Sequence, residues 1–212
     1  MTARIIALVG AESTGKSTLA RELAASLEAD GLVVAQLDEY LRTFCNTQGR
    51  TPREDEQAAI AAEQTRRIAA ARDARLLPVD VVVADTTALM IAVYSDYVFG
   101  DTTLYPQALA DHRQADLTLL MALDLPWVAD GLQRDGPQVQ HPVDHALRRA
   151  LLGAGIGFSV IGGRGPQRLA NARAAWAALQ RSGQPSTRPE GVWRHRCGRC
   201  GDPACEQHLF SR

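Results

Sequence analysis

Apolar positions along the chain fall in short runs separated by longer periodic stretches. Arg-Ile-Ile-Ala-Leu-Val at 4–9 is an apolar run ending at glycine, and Leu19, Leu23 and Leu27 then recur at helical spacing between 18 and 28. The pattern predicts strand, loop, helix. Further β-rich runs stand at 32–37, 79–84, 117–123 and 158–161, with helix-length segments between them. Strands alternating with helices predict an α/β domain: a five-stranded parallel sheet covered by helices on both faces. The Ala- and Arg-rich stretch from 53 to 76 predicts one long helix, opened by Pro52 and closed before Pro78, with its arginines on a solvated face.

Composition narrows the class. With 212 residues, 46% of them hydrophobic, the chain can build one medium domain and little more. The 23 Lys+Arg nearly balance the 24 Asp+Glu, so no broad basic field is available to hold duplex nucleic acid or an anionic membrane. No apolar run approaches the roughly 20 residues that span a bilayer, and the N-terminus leads directly into a strand. A soluble cytoplasmic protein is the expectation. Gln-Pro-Ser-Thr-Arg-Pro at 184–189 reads as a linker, which divides the chain into a main domain at 1–182 and a tail at 183–212.

The loop after the first strand carries the strongest chemical signal. Gly10-Ala-Glu-Ser13-Thr14-Gly15-Lys16-Ser17 matches G-x-x-x-x-G-K-[ST] between a strand and a helix, the context that this phosphate-binding loop requires. Its glycines let successive N–H groups face an anion, and the helix N-terminus adds a favourable dipole. Lys16 reaches the β- and γ-phosphates of a nucleoside triphosphate such as ATP, and the Ser17 hydroxyl is a ligand for Mg²⁺. Lys16 is also the sole lysine in the chain. A compact ammonium threads between two phosphates where a planar guanidinium would be too wide. The fold class is therefore a P-loop NTPase.

Acids at strand ends are the next requirement, because an open α/β sheet presents its site there. The second strand runs into Asp38-Glu39-Tyr40 and the third into Asp85-Thr86-Thr87. Val-Val-Val-Ala-Asp at 81–85 reads as the carboxylate that holds Mg²⁺, directly or through water, and an N-cap role for Asp85 would not exclude this. Glu39 or Asp38 would accept the proton of an attacking alcohol. The chain is too short for motor arms or oligomerising lobes, which favours a small kinase among the users of such loops. A different class, an ATP-binding regulator or adaptor acting through its tail, stays open.

Five segments together resemble one family. Residues 10–19, Asp-Glu-Tyr at 38–40, Ala-Asp-Thr at 84–86, Tyr-Ser-Asp-Tyr-Val-Phe-Gly at 94–100 and Leu-Pro-Trp-Val-Ala-Asp-Gly-Leu at 125–132 are similar to the nicotinamide riboside kinase domain of NadR-type proteins, AAA-like P-loop ATPase/kinase domains. The resemblance covers about residues 4–180. It implies transfer of the γ-phosphoryl of ATP to the 5′-hydroxyl of nicotinamide riboside, with another nucleoside or nucleotide as the alternative acceptor. On this resemblance Gly10 to Thr18 bind the triphosphate, with Gly10, Ser13, Thr14, Gly15, Lys16, Ser17 and Thr18 in contact, while Lys16, Glu39 and Asp85 flank the reacting centre. Residues 124–140 form a lid that supplies Arg134 to the transferring phosphoryl. Arg164 and Arg168 stand in the loop that passes the adenine, and Asp38, Tyr94 and Trp127 face the acceptor, where an aromatic face suits a cationic pyridinium ring. Two departures accompany the likeness. The family commonly has Asp-Thr-Asp where this chain has Asp85-Thr86-Thr87, and the DNA-binding and adenylyltransferase segments that can precede such kinases have no counterpart before residue 4.

The tail carries a separate signal. Cys197, Cys200, Cys205 and His208 give C-x₂-C-x₄-C-x₂-H, a complete tetrahedral set for a structural Zn²⁺, with His195 as an alternative fourth ligand. Cys45 stands apart and reads as a buried or half-buried thiol. The oligomeric state has no signature in the sequence.

Overall fold

The computed structural model describes residues 2–74, 77–129 and 136–182. Arg134 and the four tail positions Cys197, Cys200, Cys205 and His208 lie outside them. The strands are β1 (Arg4–Val9), β2 (Val34–Leu37), β3 (Val81–Asp85), β4 (Leu117–Met121) and β5 (Ser159–Ile161). They form a single parallel sheet in the order β2-β3-β1-β4-β5. The helices are α1 (Lys16–Ala29), α2 (Tyr40–Gln48), α3 (Gln57–Arg72), α4 (Ala88–Phe99), α5 (Tyr105–His112), α6 (Gln140–Gly153) and α7 (Pro166–Ser182). The first compact unit of the chain spans Met1–Leu179. Among the described residues no helix is long and apolar enough to cross a membrane.

Strand periodicity of two sorts the core into layers. On one face Ile6 and Leu8 of β1 with Val83 of β3 pack against Leu19, Leu23 and Leu27 of α1 and against Trp176 of α7. On the other, Val9 and Leu120 pack against Leu89, Met90 and Val93 of α4 and Val143, Leu147 and Leu151 of α6. The three α1 leucines are essentially sealed from water, which is worth roughly 1.5–3 kcal/mol each. Helix α4 is buried from Ala88 through Val93, because the sheet, α3 and α6 cover it from several sides.

Several boundaries differ from the sequence expectation: the long helix ends at Arg72 and β4 at Met121, and the starts of the long helix, β2 and β3 are displaced. The long helix starts at Gln57 rather than 53, since Glu54–Glu56 form a 3-10 turn in which the Glu56 carboxylate accepts the Arg53 backbone N–H at 2.8 Å. That bond fixes Arg53 in an extended conformation just outside the helix. Strands β2 and β3 begin two residues after their apolar runs, where the Val33 and Asp80 backbones are tied together, with Val33 N–H donating to Asp80 Oδ2 at 2.8 Å and Asp80 N–H to the Val33 carbonyl at 2.8 Å. The α3 arginines are largely solvated, Arg66 and Arg67 pairing with Glu63, although Arg67 also lies over the Tyr40 ring at 4.3 Å.

Candidate active site

The loop between β1 and α1 needs backbone conformations that side chains disfavour. Gly10 has φ 151°, and a Cβ there would lie 2.9 Å from the Met121 Cβ on the neighbouring strand, so only glycine fits. Gly15 follows with φ 78° and Ser13 with φ 58°. The Thr14 hydroxyl donates to the Ala11 carbonyl at 2.7 Å, and the Lys16 ammonium donates to the carbonyls of Gly10 at 2.8 Å and Ala11 at 2.9 Å. The lysine is thus held along the inside of the loop, on the face where a phosphate chain would lie.

Arg168, from α7, braces the loop from behind. It is 5% exposed and donates to the Thr14 carbonyl at 2.5 Å, to the Gly163 carbonyl at 2.8 Å and to the Asp124 carboxylate. A buried guanidinium paired and hydrogen-bonded in this way ties β4, β5 and the phosphate loop together. Arg164 is exposed.

Glu12 is a second tie, and the sequence reading passed over it. Its residue is 8% exposed; its carboxylate accepts from the Trp127 indole at 2.8 Å and the Gly136 N–H at 3.1 Å. Its backbone N–H donates to the Tyr94 hydroxyl at 3.0 Å, and its carbonyl accepts from the Gln140 amide at 2.9 Å. The Val128 N–H donates to the Ser13 hydroxyl at 2.7 Å. Trp127 and Tyr94 therefore both act on the phosphate loop through hydrogen bonds.

The loop opens onto a cavity of ≈ 330 Å³. One wall is Glu12 to Thr18. Glu39, Arg42 and Thr86 also line it, together with Met90, Tyr94, Val98 and Phe99 of α4 and with Leu41, Cys45, Thr51, Pro52 and Gln57. Of the acceptor-facing candidates, Tyr94 lines this cavity, whereas Asp38 and Trp127 are not among its walls. Asp38 is exposed and accepts from the Gln36 amide at 3.0 Å.

Glu39 and Asp85 converge at the C-terminal edge of the sheet. Burial raises the Glu39 pKa above the ordinary carboxylate value; the nearby Asp85 charge pushes the same way, and Lys16 and Arg42 oppose it. Asp85 is 2% exposed, and its Oδ1 has no hydrogen-bond partner among the described residues. The next residue, Thr86, is fully buried at φ 80°, an outlier for a β-branched side chain, and its hydroxyl is also without a partner there. Buried orphan oxygens beside a phosphate loop fit a hydrated divalent cation, which takes few protein ligands when phosphates supply the rest.

Gln64 of α3 fixes the spacing of the two acids. It is fully buried; its amide donates to the Thr86 carbonyl at 3.0 Å and its carbonyl accepts the Tyr40 N–H at 2.8 Å. One side chain thereby links the ends of β2 and β3. The sequence did hold a signal for it. Gln57, Ile60, Ala61, Gln64 and Ile68 are the buried stripe of α3, and two amides on an apolar stripe ask for a reason. Thr87, at the position where the family commonly has a second acid, turns to the buried His112, with 2.8 Å between its hydroxyl and Nδ1. Cys45 is buried, and that burial pushes its thiol pKa up.

A family model described as an AAA domain matches residues 5–168, so the chain belongs to that AAA domain family. No curated protein matches the chain at a significant level. Among solved structures it is similar to NadR protein in complex with NR, at TM-score 0.66 and 20% identity over 84% of this chain and 52% of that one. It is also similar to NadR protein in complex with NAD and AMP-PNP, at TM-score 0.63 and 20% identity, covering 89% of this chain and 52% of that one. The chain thus spans about half the length of the NadR chains. A thymidylate kinase from Ehrlichia chaffeensis matches at TM-score 0.58 and 14% identity, over 85% of this chain and all of that one. These likenesses establish a shared P-loop fold, the class expected from the loop and strand pattern.

Proposed function

We propose that the protein is an ATP-dependent kinase that phosphorylates the 5′-hydroxyl of a nucleoside, nicotinamide riboside in particular. One observation carries the reading: the phosphate loop with Lys16, the acid Glu39 and the aromatic wall of Tyr94 and Phe99 share a single cavity. Phosphate-binding backbone and aromatic side chains in one cavity suit a triphosphate tail and a flat ring. The shared fold with NadR crystallised with NR and with AMP-PNP supports the same assignment.

In this reading Gly10, Ser13, Thr14, Gly15, Ser17 and Thr18 cradle the phosphates of ATP, and Lys16 neutralises charge that builds on the transferring group. Ser17 and Asp85 would hold Mg²⁺, which would supply charge neutralisation on the phosphates. Glu39 takes the proton from the acceptor hydroxyl, and its raised pKa makes it a stronger base than an ordinary carboxylate. Tyr94 stacks on the acceptor ring. Arg168 acts from behind, holding the loop and the adenine-side turn at Gly163 in register. Arg134 is proposed as the cation that closes on the phosphoryl, with Arg164 beside the adenine.

A second reading has one observation of its own. Arg42 stands in the cavity wall, where a guanidinium would attract an anionic acceptor such as a nucleoside monophosphate and would disfavour a cationic ring. An acceptor screen with Mg·ATP that follows phosphorylated product decides between them. Conversion of nicotinamide riboside with 1:1 use of ATP is the expected result. Phosphorylation confined to nucleotides would install the second reading, and slow hydrolysis indifferent to every acceptor would replace both with a nucleotide-controlled regulator.

A further inference from the structure

Gln57 has no role in the chemistry above, yet its placement is unusual. It opens α3, is 6% exposed, and lines the cavity together with Tyr94, Met90 and Phe99. Among the described residues its side-chain amide makes no hydrogen bond, in contrast to Gln64, seven residues further along the same buried stripe, whose amide is satisfied at both ends. The amide is not sealed in the core but opens onto the cavity, where a ligand can take both its donor and its acceptor in place of water. Its surroundings specify the complement. A primary amide presents an acceptor and a donor side by side in one plane, and the α4 wall offers an aromatic face for a flat ring.

From this juxtaposition we propose that Gln57 is the specificity-determining residue of the acceptor site, selecting rings that carry an uncharged amide edge. That edge is either an exocyclic carboxamide, as on a pyridine, or the lactam edge of a pyrimidine. Both pair with Gln57 through one N–H···O bond in each direction. A carboxylate substituent offers acceptors alone and leaves the Gln57 carbonyl unpaired, and an unsubstituted ring leaves both ends unpaired. Discrimination then arises because the wrong ligand strands a buried polar group, which separates substrates more sharply than lost apolar contact does. The inference rests on the kinase reading and adds to it the group by which the acceptor is recognised.

The test is a double-deletion cycle on the full chain with Mg·ATP. On the ligand side, nicotinamide riboside is compared with nicotinic acid riboside and with the pyridinium riboside lacking the carboxamide, and uridine supplies the lactam arm. On the protein side, wild type is compared with Gln57→Met, which keeps the length and removes both hydrogen-bonding groups. Wild type should favour the carboxamide over the unsubstituted ring by about 10–100-fold in kcat/KM. Gln57→Met should erase that ratio while leaving the unsubstituted ring within about threefold of wild type. A general packing defect would lower all substrates alike and keep the ratio. If Gln57→Met does not fold, the wild-type substrate series decides alone, and equal turnover of carboxamide, carboxylate and unsubstituted rings overturns the proposal. Preservation of the wild-type ratio in Gln57→Met overturns it too, with the kinase reading intact. If wild type phosphorylates no acceptor, both fall together. A carboxamide preference with no activity on uridine assigns the edge to a pyridine, and the reverse assigns it to a pyrimidine.

Discussion

The indole N–H of Trp127 donates to the carboxylate of Glu12 across 2.8 Å, joining the segment after β4 to the centre of the phosphate loop. Gly136 reaches the same carboxylate oxygen, so an acid within the loop gathers two chain segments that lie far from it in sequence. Truncating Glu12 to Ala strands both donors, and the expected cost is about 1–3 kcal/mol in unfolding free energy. Trp127→Phe removes one donor and should cost less. The double variant should be clearly less destabilised than the sum of the singles, because the two changes delete one shared contact. Additive losses in denaturant unfolding would show that the bond contributes nothing.

Lys16 is anchored to loop carbonyls and packs no core, so its removal separates chemistry from folding. Lys16→Ala should abolish phosphoryl transfer while shifting stability by under about 1 kcal/mol. Lys16→Arg should rescue poorly, since the planar guanidinium cannot occupy the ammonium position. Wild-type turnover in Lys16→Ala would overturn the role of the loop.

The legible parts of the molecule are the local ones. A phosphate loop is one contiguous segment, and five apolar runs alternate with helical periods, so the P-loop fold could be read directly. Choosing between Asp38 and Glu39 required more. Only the folded chain sends Asp38 to solvent and Glu39 into the cavity. The ties made by Glu12 and Arg168 were out of reach for a different reason, although Arg168 itself was expected at the site. The bonded partners are 115 and 154 residues away, and no local period encodes such pairings. Gln57 and Gln64 were visible as polar interruptions of an apolar stripe, but the arginines of the same helix dominate its composition.

Zinc is a separate question from the site. Among the described residues no cluster of three or more His, Cys, Asp or Glu could hold a metal ion, and the expected ligands Cys197, Cys200, Cys205 and His208 lie outside them. Elemental analysis should find about one zinc per chain. Deleting residues 190–212 should remove it and spare turnover. A metal-free preparation with freely titratable thiols at 197, 200 and 205 would refute the assignment and leave the kinase reading untouched.

His112 makes stability depend on pH away from the site. It is buried between the hydroxyls of Thr87 at 2.8 Å and Thr118 at 3.0 Å, and desolvation lowers its pKa from 6.5 to about 4. The unfolded chain therefore binds the proton first as pH falls. The contribution to stability is complete above pH 6.5 and is lost progressively toward pH 4, a change of about 3 kcal/mol. His112→Gln should flatten this part of the profile. Identical slopes for both proteins between pH 6.5 and 4 in urea unfolding would show that His112 ionises freely in the fold.

Glu39 has the opposite sign. Its folded-state pKa is raised above 4.5 mainly by burial, so the folded chain holds that proton more tightly than the unfolded chain does. Stability from this group therefore falls as pH rises through the interval between 4.5 and the folded value, and the ionised form is a standing cost at neutral pH. Glu39→Gln should be more stable than wild type at pH 8 and equal to it at pH 4. The same ionisation should govern catalysis in the other direction: kcat/KM should rise along an acid limb whose midpoint lies above the ordinary carboxylate range, and Glu39→Gln should lose about 10²–10⁴-fold in kcat. Asp85→Asn should also lose activity, by a different route, because its unpartnered oxygen would hold the cation rather than take the hydroxyl proton. Raising Mg²⁺ should restore part of the Asp85→Asn activity and none of the Glu39→Gln activity. If neither substitution lowers kcat by tenfold, the reacting centre does not lie between these two strand ends.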